Sequence, residues 1–370
     1  MNPIALGVFW RAAMLIVGLA AAVPTRLADL QPHPMAVRDF SDALARARRQ
    51  QAVDDSIAAP GGRTILLTHG QRVPRAVVLL HGFTDSPRQF AALADSFYVQ
   101  GDNVYVPRLP HHAERGADAR HLARVTAEEL RASADSAVDI ANGLGDSVVV
   151  IGLSAGGTIA AWVAQNRQDV QRLVIIAPAF EVGHVPSILE RPLVNLSSRA
   201  PNVTRRSAAD SSRPDLEPGV ATRGVAQVLR LGIATRRAAD ERPPKAGEMI
   251  FLLNAHDHTV KSAPALDLAA RWRSSGAAVA VYEFPDSLRL PHNVMEAAHH
   301  GGNDSAVYPT LDALAHGERP PGWAAGIRPF RRITTTCMEA HRCGTTSRRS
   351  SCGATSSTWR RRWSSAPRSA

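Results

Sequence analysis

The chain has 370 residues, 45% of them hydrophobic, so it can bury a large core, and α/β folds with insertions often reach this size as one unit. A formal net charge of +10 would ordinarily favour nucleic acid or an anionic membrane surface as a partner. Residues 331–370, however, hold nine arginines and one acid, which leaves a charge of only +2 on residues 1–330. This nearly neutral main body argues against a nucleic-acid-binding protein. All three cysteines also lie in residues 331–370, which excludes a disulfide framework or a thiolate metal site from the main body.

The N-terminal residues 1–23 have the pattern of a signal peptide. An uncharged apolar run, residues 12–23, follows Arg11, and three alanines at 20–22 fit the small-residue cleavage pattern. A membrane anchor is the alternative, although Arg11 near the middle of such a span would cost about 3 kcal/mol. A wrongly assigned start codon, with neither a signal peptide nor an anchor, is the third possibility. We expect an exported protein, secreted or periplasmic, or one that associates with a membrane through this segment.

The main body alternates apolar runs with helical stretches. After a helical lead-in at residues 24–62, with a surface helix predicted over 36–56, the apolar runs are nearly continuous in Val, Ile and Leu. The predicted strands are 64–68, 76–80, 103–107, 147–153, 172–177, 249–254 and 277–284. The predicted helices are 87–100, 126–142, 157–167, 263–274 and 306–315. Continuous apolar strands between helices predict an α/β domain, residues 63–330, with a mostly parallel sheet covered on both faces.

Residues 181–246 interrupt this alternation. They are rich in proline and arginine, and a helical pattern recurs over 220–238, which predicts a cap inserted over one end of the sheet. The leucines of this segment fit either an amphipathic lid over a lipid-like substrate or an ordinary face that packs on the core. The pattern leaves both interpretations open.

Residues 331–370 differ from the rest of the chain. Fifteen of these 40 residues are Ser or Thr, and few are apolar, so the segment is predicted to be disordered. A basic nucleic-acid-binding arm is one alternative. A shifted reading frame in a GC-rich gene is another.

The pentapeptide Gly152-Leu153-Ser154-Ala155-Gly156 lies between a predicted strand and a predicted helix. A Gly-x-Ser-x-Gly turn in this context is typical of a nucleophile elbow, in which a strained turn exposes the serine hydroxyl and the glycines avoid clashes with the neighbouring chain. We therefore expect Ser154 to be a catalytic nucleophile. The same pentapeptide without its flanks would often arise by chance.

A second turn, His81-Gly82-Phe83, ends the buried strand at 76–80. Acyl transfer places negative charge on a carbonyl oxygen, and backbone N–H groups fixed in advance stabilise that charge. The N–H groups of Phe83 and Ala155 are the expected oxyanion-hole pair. An ordinary strand-ending turn with a structural histidine is the alternative.

A serine nucleophile needs a base and an orienting acid, and in this arrangement they follow it in the order acid, then histidine. Asp257 follows the predicted strand at 249–254, and His292 lies in the loop after the strand at 277–284. Both positions are at strand ends, where open α/β sheets place their sites. We expect Asp257 and His292 to complete a catalytic triad, with His299 as the fallback base. The competing histidines are His256, His258, His299 and His300.

With its motifs at residues 78–84, 152–157, 257–260 and 290–292, the chain resembles the bacterial carboxylesterase and monoacylglycerol-lipase branch of the α/β-hydrolases over residues 63–315. The resemblance implies the α/β-hydrolase fold, hydrolysis of a small acyl ester, no cofactor, and a cap that shapes the acyl pocket. One motif departs from the family: Leu109-Pro110-His111-His112-Ala113 stands where Leu-Pro-Gly-His-Gly is common, which puts the usual substrate size in doubt.

Other functions remain open on the sequence alone. An acyltransferase or a small-peptide peptidase would carry the same triad, and a catalytically silent binding module could share the fold. His111, His112 and Glu114 also raise the question of a metal site, but adjacent histidines point in different directions and no distant ligand set accompanies them. We expect no metal and no nucleic-acid partner. The oligomeric state is not predicted.

Overall fold

The computed structural model describes residue 14 and residues 18–27, 30–35, 37–118, 120–206, 216, 219–295 and 304–320. The chain divides into two units, Met1–Ile327 and Arg328–Ala370. The second unit, and with it the predicted disordered tail, lies outside the described residues. Most of the predicted signal peptide or anchor also lies outside them. Among the described residues, no helix is both long and apolar enough to cross a membrane.

Within the described residues, nine strands belong to two sheets. The strands are β1 Ile65–Leu67, β2 Val73–Leu80, β3 Asn103–Val106, β4 Gly145–Leu153, β5 Arg172–Ile176, β6 Thr204–Arg206, β7 Gly219–Ala221, β8 Glu248–Asn254 and β9 Ala278–Phe284. Seven of them form one sheet in the order β1-β3-β2-β4-β5-β8-β9, and β6 and β7 form a separate antiparallel pair. Only β1 runs antiparallel in the large sheet. The predicted mostly parallel sheet is confirmed, with all seven predicted strands present.

Helices cover both faces of this sheet. They are α1 Phe40–Ile57, α2 Ala91–Val99, α3 Ala127–Leu144, α4 Ala155–Asn166, α5 Ser187–Ser197, α6 Thr222–Glu241, α7 Ala263–Ser274 and α8 Asp304–His316, with short 3₁₀ turns at Pro87–Phe90, His121–Arg124 and Asp286–Leu288. The predicted helix over 87–100 therefore begins as a 3₁₀ turn. The predicted surface helix over 36–56 begins only at Phe40, because the Asp39 side chain accepts a hydrogen bond from the Ser41 N–H and caps it.

Alternating strand residues separate the core into two layers. Val78 and Leu80 of β2 face the layer under α1, α3, α4, α6 and α7, whereas Val77 and Leu79 face the layer under α2 and α8. All four side chains are at most 1% exposed. Burial on both faces explains why these strands have continuous rather than alternating apolar residues.

The inserted segment, residues 181–246, lies between β5 and β8 and holds α5, β6, β7 and α6. On α6, Leu231 is fully buried and packs on the core, whereas Leu229, 7% exposed, packs in a separate small cluster with Val194 of α5. On α5, Leu189 and Leu193 are 47% and 41% exposed. The leucines of α6 thus fit the interpretation of a buried packing face. Those of α5 form an exposed apolar face, as expected of an amphipathic lid.

Candidate active site

Ser154 lies in the sharp turn between β4 and α4. Its backbone has φ 58° and ψ −111°, a conformation that non-glycine residues rarely adopt. The Ser154 N–H donates to the Ile176 carbonyl at 2.9 Å, and its carbonyl accepts from the Thr158 N–H at 2.9 Å. Bonds to β5 and to the first turn of α4 therefore hold the strained residue in place.

Two glycines make this turn sterically feasible. A Cβ on Gly152 would overlap the Gly156 carbonyl group. A Cβ on Gly156 would lie 2.5 Å from the carbonyl carbon of Leu80 and 2.9 Å from the carbonyl oxygen of His81. Because β2 and α4 approach each other this closely, the serine turn lies directly beside the end of β2.

The structure brings Ser154, His292 and Asp257 together from three separate loops. His292 Nε2 lies 2.8 Å from Ser154 Oγ, and His292 Nδ1 lies 2.7 Å from Asp257 Oδ2. With Nδ1 donating to the carboxylate, Nε2 is left to accept the serine proton. This is the hydrogen-bonded geometry of a nucleophile, a base and an orienting acid.

The Asp257 carboxylate is held in its ionised form. Its side chain is only 2% exposed. Burial alone would raise the pKa of Asp257, but hydrogen bonds from His292 and from the N–H groups of Thr259 and Val260 outweigh it, and the pKa lies below its ordinary value. An ionised Asp257 can therefore stabilise positive charge on the His292 ring.

Asn254, at the end of β8, orients the loop that carries His292. Its Nδ2 donates to the carbonyls of Leu290 and Pro291 at 2.9 and 3.1 Å, and its Oδ1 accepts from the His256 N–H at 3.0 Å. Sequence reasoning missed this residue. The only signal was a polar residue that closes an otherwise apolar strand.

The competing histidines are placed differently. His256 Nδ1 lies 2.8 Å from Asp286 Oδ1, and its ring packs edge-on against His258. His299 and His300 lie outside the described residues. Of the described candidates for the base, His292 is the one hydrogen-bonded to Ser154.

His81 orients the peptide unit between Gly82 and Phe83. Its Nδ1 donates to the Gly82 carbonyl at 2.8 Å, and its Nε2 accepts from the Leu109 N–H at 3.1 Å. Burial first, and the nearby His112 second, hold the pKa of His81 well below its ordinary value, so the ring is neutral. Because a peptide unit is planar, fixing the Gly82 carbonyl also fixes the direction of the Phe83 N–H.

The N–H groups of Phe83 and Ala155 lack acceptors within the described part of the chain. Ala155 is the first residue of α4, where N–H groups have no partner inside the helix. The Phe83 ring packs edge-on against His112 with 5.5 Å between ring centroids. It also lies close under α6, since a Cβ on Gly224 would be only 2.7 Å from the ring. The inserted segment therefore reaches the turn that follows β2.

Residues 109–113, which differ from the Leu-Pro-Gly-His-Gly motif of the family, adopt an unfavourable backbone conformation. His111 and Ala113 have φ values of 63° and 50°, in the region that favours glycine. Such a conformation costs roughly 1–2 kcal/mol for each non-glycine residue. Ala113 offsets part of this cost by accepting a hydrogen bond from the Ala59 N–H at 2.7 Å.

The side chains of the adjacent residues His111 and His112 contact different partners. His111 Nε2 contacts Glu129 at 3.1 Å, whereas His112 Nδ1 donates to the Pro110 carbonyl at 2.8 Å. Burial lowers the pKa of His112 to about 4. No group of three or more potential metal ligands occurs among the residues that the structure describes.

The sequence is similar to known proteins. A family model described as serine aminopeptidase, S33, matches residues 71–284, more than half of the chain. The thermostable monoacylglycerol lipase of Bacillus sp. (strain H-257) is 25% identical over 198 residues, which cover 52% of this chain and 74% of that protein.

Similarity to a solved structure with a TM-score above 0.5 shows the same fold. One from the metagenome-derived lipolytic enzymes LipS and LipT is 19% identical with a TM-score of 0.53, covering 70% of this chain and all of that one. The monoacylglycerol lipase of Paleococcus ferrophilus is 15% identical with a TM-score of 0.49, covering 68% of this chain and 98% of that one. The predicted family resemblance is confirmed: the chain belongs to the serine aminopeptidase S33 family, enzymes of the α/β-hydrolase fold.

Proposed function

We propose that the protein is a serine hydrolase that cleaves carboxylic esters through Ser154, His292 and Asp257. The observation that carries this proposal is the unbroken pair of hydrogen bonds, 2.8 and 2.7 Å long, from Ser154 through His292 to Asp257. The N–H groups of Phe83 and Ala155, which have no acceptor among the described residues, add a place for the oxyanion.

In the proposed mechanism, His292 Nε2 removes the Ser154 proton as Oγ attacks the ester carbonyl carbon. The ionised Asp257 stabilises the resulting imidazolium, and the Phe83 and Ala155 N–H groups donate to the oxyanion. His292 then gives its proton to the departing alcohol and leaves an acyl-enzyme. Water, deprotonated by His292, attacks this intermediate and releases the acid together with free Ser154.

An ester substrate is supported by the monoacylglycerol-lipase relative and by the exposed apolar face of α5 within the inserted segment. A peptidase is the second candidate, because the matching family model is described as an aminopeptidase. Both chemistries use the same triad, so the substrate has to be assigned by turnover. Esters of p-nitrophenol, monoacylglycerols and aminoacyl p-nitroanilides form a discriminating panel, in which we expect turnover of the esters. Turnover of the anilides alone would favour the peptidase, and transfer to added alcohols would favour an acyltransferase.

Replacement of Ser154 by alanine tests the nucleophile. We expect Ser154→Ala to lose p-nitrophenyl ester turnover by about 10⁴-fold or more and to lose labelling by a fluorophosphonate. Ser147→Ala is a matched control, because Ser147 lies on the same strand at its opposite end and donates to the Pro74 carbonyl. Unchanged turnover in Ser154→Ala would contradict the proposal. A folded wild-type protein that the probe does not label would indicate a silent binding module instead.

A further inference from the structure

A chain of side-chain hydrogen bonds joins the turn after β2 to the loop that carries His292. The Gly82 N–H donates to Gln89 Oε1 at 2.8 Å. Gln89 Nε2 donates to Asn293 Oδ1 at 3.0 Å, and Asn293 Nδ2 donates to Asp85 Oδ2 at 3.2 Å. Gln89 and Asn293 are 204 residues apart in the sequence.

The direction of this chain is determined by its ends. At one end the Gly82 N–H can only donate, and at the other Asp85 Oδ2 accepts, so each amide between them has one orientation that satisfies all three bonds. Gln89 and Asp85 are 5% and 7% exposed and Asn293 is half-buried, which limits competition from water for these hydrogen bonds. Buried hydrogen bonds of this kind are stronger than exposed ones, and a broken one leaves unsatisfied polar groups.

Two members of this chain of hydrogen bonds lie next to the groups that the proposed reaction uses. Gly82 precedes Phe83, an expected oxyanion donor, and Asn293 follows His292, the expected base. In the sheet, β2 and β9 are separated by β4, β5 and β8, so no backbone ladder connects the two loops directly. The Gln89–Asn293 bond is a direct link between them.

We propose that Gln89 and Asn293 are positioning residues that set the oxyanion donor and the base at a fixed distance from each other on either side of Ser154. This inference rests on the proposed hydrolase function and deepens it. Neither residue reaches the reacting atoms through the contacts described, and both act through their neighbours. A displacement of about 1 Å at such a site can lower the rate 10²-fold.

The test uses two shape-conserving variants and their combination. Gln89→Met and Asn293→Leu keep the side-chain volume and remove the amide hydrogen bonds. Gln165→Met is the matched control. Gln165 lies on α4, ten residues after Ala155, and is also buried. Its amide accepts a hydrogen bond from Trp272 Nε1 and donates one to the Arg242 carbonyl. All variants are measured for kcat, KM, the rate of fluorophosphonate labelling of Ser154, and Tm.

We expect each single variant to lose roughly 10- to 10²-fold in kcat and in labelling rate, with KM nearly unchanged. The double variant should lose no more than the worse single variant, because the two side chains form one link. Gln165→Met should lower Tm without changing kcat per folded molecule. The inference is overturned if the single variants keep wild-type kcat and labelling rate, or if their losses multiply in the double variant.

Hydrogen exchange separates this inference from the proposed function. In Gln89→Met, backbone amides of residues 286–295 should exchange faster than in the wild type, although the substitution lies in the other loop. Unchanged exchange there would refute the link whether or not the protein hydrolyses esters. A wild-type protein that neither hydrolyses esters nor reacts with the probe would refute the proposed function, while the exchange result still decides the link.

Discussion

Replacement of Gly156 by alanine probes the close contact between β2 and the serine turn. The added Cβ would lie 2.5 Å from the carbonyl carbon of Leu80, where an ordinary van der Waals contact needs at least 3.4 Å. The neighbouring atoms are backbone, which cannot rotate away, so α4 and β2 must separate by about 1 Å. Overpacking of this kind typically costs 1–3 kcal/mol of stability.

The same displacement should affect catalysis more than stability. Ala155 begins α4 and Phe83 follows β2, so moving the two elements apart moves the two expected oxyanion donors apart. We expect Gly156→Ala to lower kcat for p-nitrophenyl butyrate by about 10²-fold at 25 °C, with the protein still folded by circular dichroism.

Gly247→Ala provides the control, a milder clash with backbone atoms away from the site. Its Cβ would lie 2.6 Å from the Gln171 carbonyl oxygen, just before β8, at the opposite end of that strand from Asn254. This variant should lose stability and keep its kcat per folded molecule. If Gly156→Ala retained wild-type kcat, or if Gly247→Ala lost kcat equally, the close β2–α4 contact would not determine the site geometry.

Two further predictions concern buried charges. Burial first, and the neighbouring Glu181 against the opposing effect of Arg236, raise the pKa of Glu190 to about 7, so the wild type loses stability as pH rises from about 4.5 to 7 and does not regain it above 7. Because glutamine cannot ionise, the free energy of unfolding of Glu190→Gln should rise by about 1–3 kcal/mol relative to that of the wild type when the pH is raised from 5 to 8, as measured by urea unfolding. A difference that stays constant with pH would contradict this prediction. Arg167, 2% exposed, donates to Asp135 and Asp139 at 2.9 and 2.6 Å. Arg167→Leu should cost about 3–5 kcal/mol in the same assay, because it leaves Asp139 buried without its cation and Asp135 with only the longer contact to Arg131, at 3.3 Å. A loss below 1 kcal/mol would refute the role of this ion-pair cluster.

Much of the fold could be predicted because its signals are local. Each of the seven predicted strands is a run of apolar residues bounded by turns, and such a run is recognisable without knowing its neighbours. The helix α5 was harder to predict, because Pro192 lies inside it and three of its apolar side chains face solvent. The short β6–β7 pair has only three residues in each strand, too few for a pattern.

Polar residues that orient the site could not be predicted in the same way. Asn254, Gln89 and Asn293 are single polar residues without a motif, and the partners through which they join separate loops lie 36 to 208 residues away in the chain. The conformational reason for glycine at positions 111 and 113 of the family motif likewise became visible only as positive φ values. Such roles depend on which loops meet, and no local pattern encodes that.

The sequence by itself determined the alternation of strands and helices, the position of Ser154 in a strand-turn-helix context, and the order in which Asp257 and His292 follow it. These features depend on residues adjacent in the chain or on their order along it. Only the tertiary structure decided that His292, rather than His256 or His258, lies against Ser154, 138 residues away, and that the inserted segment packs on Phe83. Parallel strands bring their carboxyl ends to one edge of the sheet, but the packing of whole side chains selects which loop residues touch there.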